Sequence, residues 1–104
     1  MNGNTTFISK GAEIAFSKGM IVLAAAGNEG RTPEPHIGAP ADAVSVLAVG
    51  SVTSTKVKSD FSSIGPSFDN RVKPDIMAQG SSAVVALPSG NLGLASGSSF
   101  SCPI

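Results

Sequence analysis

The chain has no tryptophan and no tyrosine, a single cysteine (Cys102) and a single histidine (His36). One thiol excludes an intrachain disulfide framework and any zinc site built from several thiolates. Seven basic residues balance seven acidic ones, so the formal net charge is zero. No nucleic-acid partner is expected, because neutralising phosphates requires a basic surplus. A polybasic membrane-surface module is excluded on the same ground. No apolar run approaches the ~18–20 residues that cross a bilayer, so no membrane span is predicted. Residues 1–6 are polar and turn-like, with no basic segment leading into an apolar one, and do not read as a signal peptide. Charged residues are 13% of the chain, about half the usual share. Hydrophobic residues at 41% keep it out of the disordered class.

What the chain has instead is small residues. Gly, Ala and Ser together supply more than a third of its 104 positions. They let backbones approach closely but bury little area each. A core of Ala, Val, Ile and the five Phe is expected to be thin, since a domain of this length removes only roughly 60–70% of its unfolded-chain surface from water.

The spacing predicts a helix over 5–18. Ile8, Ala12 and Phe16 recur at i, i+4 and i+8 with Phe7, Gly11, Ile14 and Ala15 beside them, which makes one apolar stripe. Asn4 or Thr5 is the expected N-cap and Lys18-Gly19 the expected stop. Gly11 in the interior costs about 1 kcal/mol against Ala, and its expected use is to admit a neighbouring strand. Residues 20–26, Met-Ile-Val-Leu-Ala-Ala-Ala, form an unbroken apolar run, the pattern of a strand buried on both faces. A polar loop with Pro33, Pro35 and Pro40 follows, then a second strand over 43–52. Beyond Thr53 come turns, extended pieces over 73–78 and 82–87, a turn over 88–91, and the first turn of a helix near the C-terminus. This order is that of an α/β domain with a largely parallel sheet and flanking helices.

Two segments stand above this background: Ala25-Ala26-Gly27-Asn28-Glu29-Gly30 at the end of the first strand, and Gly97-Ser98-Ser99-Phe100-Ser101-Cys102-Pro103. In this order and separation they resemble the subtilisin-like serine proteases, the subtilases. Pro40-Ala41 through Val49-Gly50-Ser51, Phe61 to Gly65 and Val72 to Gly80 resemble intervening pieces of the same family. The resemblance covers nearly the whole chain and implies the subtilisin-like fold and peptide-bond hydrolysis through an acyl-enzyme. It places the nucleophile at Ser99, with Ser98 where the family usually has Thr, a change that keeps the hydroxyl. Taken alone, Ser99 could equally be a turn or N-cap serine. Asn28 becomes the side-chain donor of the oxyanion hole. In the subtilisins, loss of such a donor lowers kcat about 10²–10³-fold, a figure that belongs to those enzymes. Without the resemblance, Gly27-Asn28 and Gly30 are a tight turn. Ala25, Ala26 and Gly27 would wall the pocket for the side chain before the scissile bond, with Glu29 near its rim.

A serine nucleophile needs a base, usually His, oriented by a carboxylate. The family carries these as Asp-Ser/Thr-Gly and His-Gly-Thr, both before the Asn loop. His36 follows that loop and is succeeded by Ile37-Gly38, so it reads as a solvated loop residue. Asp42, Asp60, Asp69 and Asp75 also lack the required neighbours. Residues 1–104 are therefore expected to be one partial catalytic domain, inactive alone. Because one helix cannot cover a doubly buried sheet, the isolated chain is also expected to self-associate. The expected partner is a peptide or protein substrate. The family implies secretion or a cell-surface location, and many members bind Ca²⁺, but the scattered carboxylates show no calcium-ligand spacing and no cofactor is assigned. Gly-x-Gly-x-x-Gly is absent, which speaks against a dinucleotide site. Cys102 is expected to be a small buried residue. Two further readings stand beside this one. The first is a catalytically inactive subtilase-like module for binding or architecture, and the second an unrelated small α/β ligand-binding domain.

Overall fold

The computed structural model describes residues 3–104; Met1 and Asn2 of the expected N-terminal turn lie outside the described residues. The first helix, α1 (Phe7–Ser17), begins at Thr6, whose Oγ1 accepts from the Ser9 N–H at 3.2 Å. The cap is thus neither Asn4 nor Thr5. The helix ends at Lys18, and Gly19 follows at φ +94°, the positive φ that glycine adopts without penalty.

Within α1 the expected stripe is only partly used. Ile8, Ile14 and Phe16 are exposed, Phe7 is 94% exposed, and Ala12 alone of the i, i+4, i+8 set packs on the core. What fixes the helix is polar. Buried Ser9 donates from its Oγ to Asp42 Oδ1 at 2.8 Å, while Asp42 Oδ2 accepts from the Gly3 N–H. Glu13 Oε1 accepts from the Ser45 N–H at 2.7 Å. Burial works against the charged form of Glu13, but hydrogen bonds from Ser45 and Val44 outweigh it and hold its carboxyl below the ordinary range. Nothing lies within 4 Å of the Cβ position at Gly11, so that glycine does not serve strand approach.

Three parallel strands follow in the order β1 (Leu23–Ala25), β2 (Leu47–Val52), β3 (Ile76–Gln79). Leu23 pairs with Leu47 and Ala25 with Val49; Val49 pairs with Ile76 and Val52 with Gln79. The apolar run 20–26 contributes only its end to the sheet. Its side chains alternate: Ala24 and Ala26 are buried, whereas Ile21 and Leu23 are exposed. Among the described residues, then, only one face of β1 is covered, not two. Ala43 to Val46 is loop rather than the start of β2, although Ala43 and Val46 are buried in the core. The piece 82–87 pairs as β4 (Ala83–Ala86) with β5 (Leu92–Ala95) in an antiparallel hairpin around the expected turn. The chain then enters α2 (Ser98–Ser101).

The core is Ala24, Ala41, Ala43, Val46 and Ala48, with Ala12 and Val22 against it. The phenylalanines do not join it: Phe7, Phe16 and Phe68 are exposed, and Phe61 and Phe100 are half-buried. Serine takes much of the remaining interior. Ser62 Oγ accepts from the Ser51 N–H, and the hydroxyls of Ser51, Ser59 and Ser81 form a chain with spacings of 2.8 and 2.7 Å. Each of these hydroxyls, Ser81 half-buried and the others buried, is satisfied, which removes the cost of burying it.

One buried cation ties β2 to β3. Lys73 Nζ donates to Val46 O and to Asp75 Oδ2, both at 2.7 Å, and the same carboxylate oxygen accepts from the Ala48 N–H. The lysine side chain is 3% exposed, its partner 30%. Lys73→Met fills the space but strands a carbonyl and a carboxylate. It is expected to lower unfolding free energy by about 2 kcal/mol in urea denaturation, and an unchanged midpoint would show the pair to be dispensable.

Candidate functional site

The parallel register puts the C-terminal ends of β1 and β3 at the same end of the sheet, on either side of β2, and the turn after each shapes what lies there. At the first turn, Gly27 has φ +114°, and a Cβ there would lie 2.7 Å from Ser63 Oγ. Both reasons require glycine. Ser63 fixes the turn from below, since its N–H donates to Gly27 O at 2.9 Å and its Oγ accepts from the Glu29 N–H at 3.0 Å. The side chain of Asn28 is thereby thrust into the open.

Gly80 follows β3. Its N–H donates to Val52 O, and its carbonyl accepts from the Gly97 N–H at 2.8 Å, which brings in the start of α2. A Cβ at Gly80 would lie 2.1 Å from Ser101 Oγ and 2.6 Å from both Gly97 O and Ser51 Oγ. No side chain fits between β3 and α2. Ser101 Oγ, buried and without a hydrogen-bond partner, is packed against this glycine.

The two turns then meet. Asn28 Oδ1 accepts from the Ser98 N–H at 2.8 Å and from Ser98 Oγ at 2.9 Å, while Ser98 Oγ accepts from the Gly27 N–H at 3.2 Å. With Oδ1 taken twice, the carboxamide is oriented and Nδ2 is its free end. Ser99, the next residue, is exposed at the first turn of α2, where backbone N–H groups have no partner within the helix. Its hydroxyl enters none of the hydrogen bonds among the described residues. An exposed hydroxyl, an oriented amide and an unspent N–H therefore lie on adjoining residues of two segments. Such an arrangement can present a nucleophile beside donors for developing negative charge.

An open cavity of about 680 Å³ adjoins this pair, with Ala25, Ala26, Gly27 and Glu29 on its wall. Its lining also draws on residues from 34 to 39 and from 66 to 70, including His36, which is exposed. The second of these segments is braced by Asp69, which accepts from Ser67 Oγ at 2.7 Å and Arg71 Nε at 2.8 Å. The Arg71 bond foremost, then that of Ser67, lowers the Asp69 carboxyl to about 2. Arg71 also donates to the Asp42 carbonyl. Cys102 is half-buried rather than buried. Among the described residues no three His, Cys, Asp or Glu side chains come together. No helix among the described residues is long and apolar enough to cross a membrane.

Reading the sequence alone missed the positioning residues. Ser98 registered only as a substitution that keeps a hydroxyl, and that retention was the available signal for its contact with Asn28. Gly80 and Ser63 sat in recognisable segments without a role, because their function is close approach across the fold.

The described model of the subtilase family matches residues 2–104. The chain belongs to the subtilase family. Subtilisin NAT of Bacillus subtilis subsp. natto is 40% identical over 90 residues, covering 86% of this chain and 22% of that protein. Subtilisin DY of Bacillus licheniformis is 35% identical over 100 residues, covering 95% and 34%. Among solved structures, the self-cleaved protease domain of PatA superposes with a TM-score of 0.79 at 28% identity, covering 99% of this chain and 37% of that one. The prenylagaramide maturation protease PagA gives 0.76 at 30% identity, covering 91% and 32%. This subtilase chain spans about a fifth to a third of the length of these curated relatives. Membership in the family removes the unrelated ligand-binding domain from consideration.

The Asp69 brace makes the segment from 66 to 70 of the cavity lining acid-sensitive. Its folded pKa lies below the ordinary 3.8, so its contribution is complete above that value and is lost as the pH falls toward about 2. NMR titration of the Asp69 carboxyl is expected to show a midpoint near 2 that returns toward 3.8 in Arg71→Ala. A midpoint already near 3.8 in the unaltered protein would show that the brace does not form.

Proposed function

We propose that this chain supplies the nucleophile and oxyanion-binding part of a serine endopeptidase. Ser99 Oγ attacks the scissile carbonyl, giving its proton to a base; the tetrahedral intermediate collapses to an acyl-enzyme as the amine leaves, and water then releases the acid. Asn28 Nδ2 and the Ser99 N–H donate to the carbonyl oxygen as it gains negative charge. Ala25, Ala26 and Gly27 wall the subsite for the residue that carries this carbonyl. No cofactor is assigned. The observation that carries the reading is the double acceptance by Asn28 Oδ1 from Ser98, which fixes the amide beside Ser99 before substrate arrives. Such preorganisation is what makes an oxyanion donor effective.

In this reading the base and its carboxylate lie outside these 104 residues, because His36 and the aspartates lack the family's contexts for those roles. The chain alone is therefore inactive. It also associates with itself through the uncovered apolar side chains of Phe7, Ile21, Val84, Leu92 and Leu94.

Reaction with a fluorophosphonate probe tests the proposal. The chain joined to the polypeptide encoded upstream of Met1 is expected to label at Ser99, Ser99→Ala not at all, and the chain alone only at background. Asn28→Ala is expected to slow labelling and lower kcat with little change in KM. Rapid labelling of the chain alone would refute the missing base. No labelling of the extended polypeptide would leave the catalytically inactive, binding module as the answer.

A further inference from the structure

Asn28 is held at both ends of its side chain, and one of the two holders takes no part in the reaction itself. At the far end Ser98 pins Oδ1. A carboxamide fixed only at its oxygen can pivot there and swing Nδ2. At the near end stands Ser63, which is 1% exposed. Its N–H donates to Gly27 O at 2.9 Å, and its Oγ accepts from the Glu29 N–H at 3.0 Å. These two atoms belong to the two peptide groups that flank the Asn28 Cα. Each peptide group is planar, so the backbone freedom of Asn28 reduces to the rotations between those planes. Ser63 grips both planes and thereby sets the direction in which Asn28 sends its side chain. Ser63 is itself anchored on either side. Ser62 Oγ accepts from the Ser51 N–H of β2 at 2.9 Å, and the Ile64 N–H donates to Pro35 O at 2.9 Å.

We propose that Ser63 is a positioning residue for oxyanion stabilisation, its hydroxyl holding the Glu29 N–H so that the Asn28 carboxamide keeps one orientation before substrate arrives. The proposal rests on the protease reading given above and adds a residue that acts only through Asn28. An oxyanion donor is effective because it needs no reorganisation at the moment of reaction. Without the hydroxyl, the bond from the Ser63 N–H to Gly27 O survives, but the peptide plane after Asn28 is released. The amide must then be ordered anew each time the charge forms. Glu29 is exposed, so water can take up its N–H when the hydroxyl is removed. The loss therefore falls on orientation and not on a stranded buried donor.

The experiment uses the full polypeptide that carries this chain and a peptide nitroanilide, with active sites counted by fluorophosphonate titration. Ser63→Ala is expected to lower kcat per active site about five- to tenfold, with KM kept within about twofold. A residue that acts only through Asn28 has nothing left to do once that amide is gone. In the Asn28→Ala background the same substitution is therefore expected to change kcat by less than about twofold. An unchanged kcat in Ser63→Ala, an equal loss in both backgrounds, or a loss confined to the count of active sites overturns the proposal while cleavage by the unaltered polypeptide leaves the protease reading intact. Two NMR measurements do not depend on catalysis. In the unaltered polypeptide the Glu29 amide is expected to exchange at least about tenfold more slowly than in an unstructured chain. Such protection supports the hold, and an unprotected Glu29 amide overturns it, whether or not Ser63→Ala folds. If no peptide is cleaved, the protease reading fails. An Asn28 carboxamide order parameter that falls from about 0.85 to below about 0.6 in Ser63→Ala then still supports Ser63 as the holder of the amide, and an unchanged one overturns it.

Discussion

Asn28 Oδ1 accepts two hydrogen bonds from Ser98, and through them residues seventy positions apart become neighbours at 2.8–2.9 Å. Most of the architecture serves this contact. Parallel pairing of β1, β2 and β3 sets the ends of β1 and β3 at the same end of the sheet, on either side of β2. Ser63 fixes the turn that carries Asn28, and Gly80 receives the turn that carries Ser98. A neutral amide held by its oxygen leaves its nitrogen as the free end in a fixed orientation, without any change of protonation.

The abundance of small residues follows from the same constraint. At Gly27 the Ser63 hydroxyl occupies the place of a Cβ, and at Gly80 the Ser101 hydroxyl does. A larger residue at either glycine would push the two turns apart. The interior is correspondingly alanine and serine, with alanine supplying thin apolar contact around β1 and β2 and serine supplying hydrogen bonds beneath the turns. A core of this kind buries little area for each residue, and long-range polar ties such as Ser9–Asp42 and Lys73–Val46 hold what apolar packing does not. The exposed apolar side chains of α1 and the β4–β5 hairpin fit a chain that spans a fraction of its relatives' length.

Legibility divided along the range of the interactions involved. The Asn loop, the turn that opens α2, the parallel sheet and the helix end at Gly19 were all readable, because each leaves a local pattern. Three features were not. The run 20–26 read as doubly buried, yet Ile21 and Leu23 are exposed, since periodicity reports apolarity and not what lies opposite. The stripe Ile8, Ala12, Phe16 read as a packing face, yet Ser9 and Ala12 make the contacts. Gly11 read as a close-approach glycine and is not one, whereas Gly80, unremarked in sequence, is. In each case the deciding partner comes from a distant segment. The motifs that carry Asn28 and Ser99 are local and so legible, while the hydroxyl that orients Asn28 emerged only from the fold.

The claim that the Asn28–Ser98 contact holds the two segments together is tested most directly by a double-mutant cycle. Unfolding free energies would be compared for the unaltered protein, Asn28→Ala, Ser98→Ala and the double variant. The bond from the Ser98 backbone N–H survives in Ser98→Ala, and that from the Gly27 N–H to Ser98 Oγ survives in Asn28→Ala. A coupling of about 1 kcal/mol is expected between Asn28 and the Ser98 hydroxyl. Additive losses, agreeing within about 0.3 kcal/mol, would contradict it.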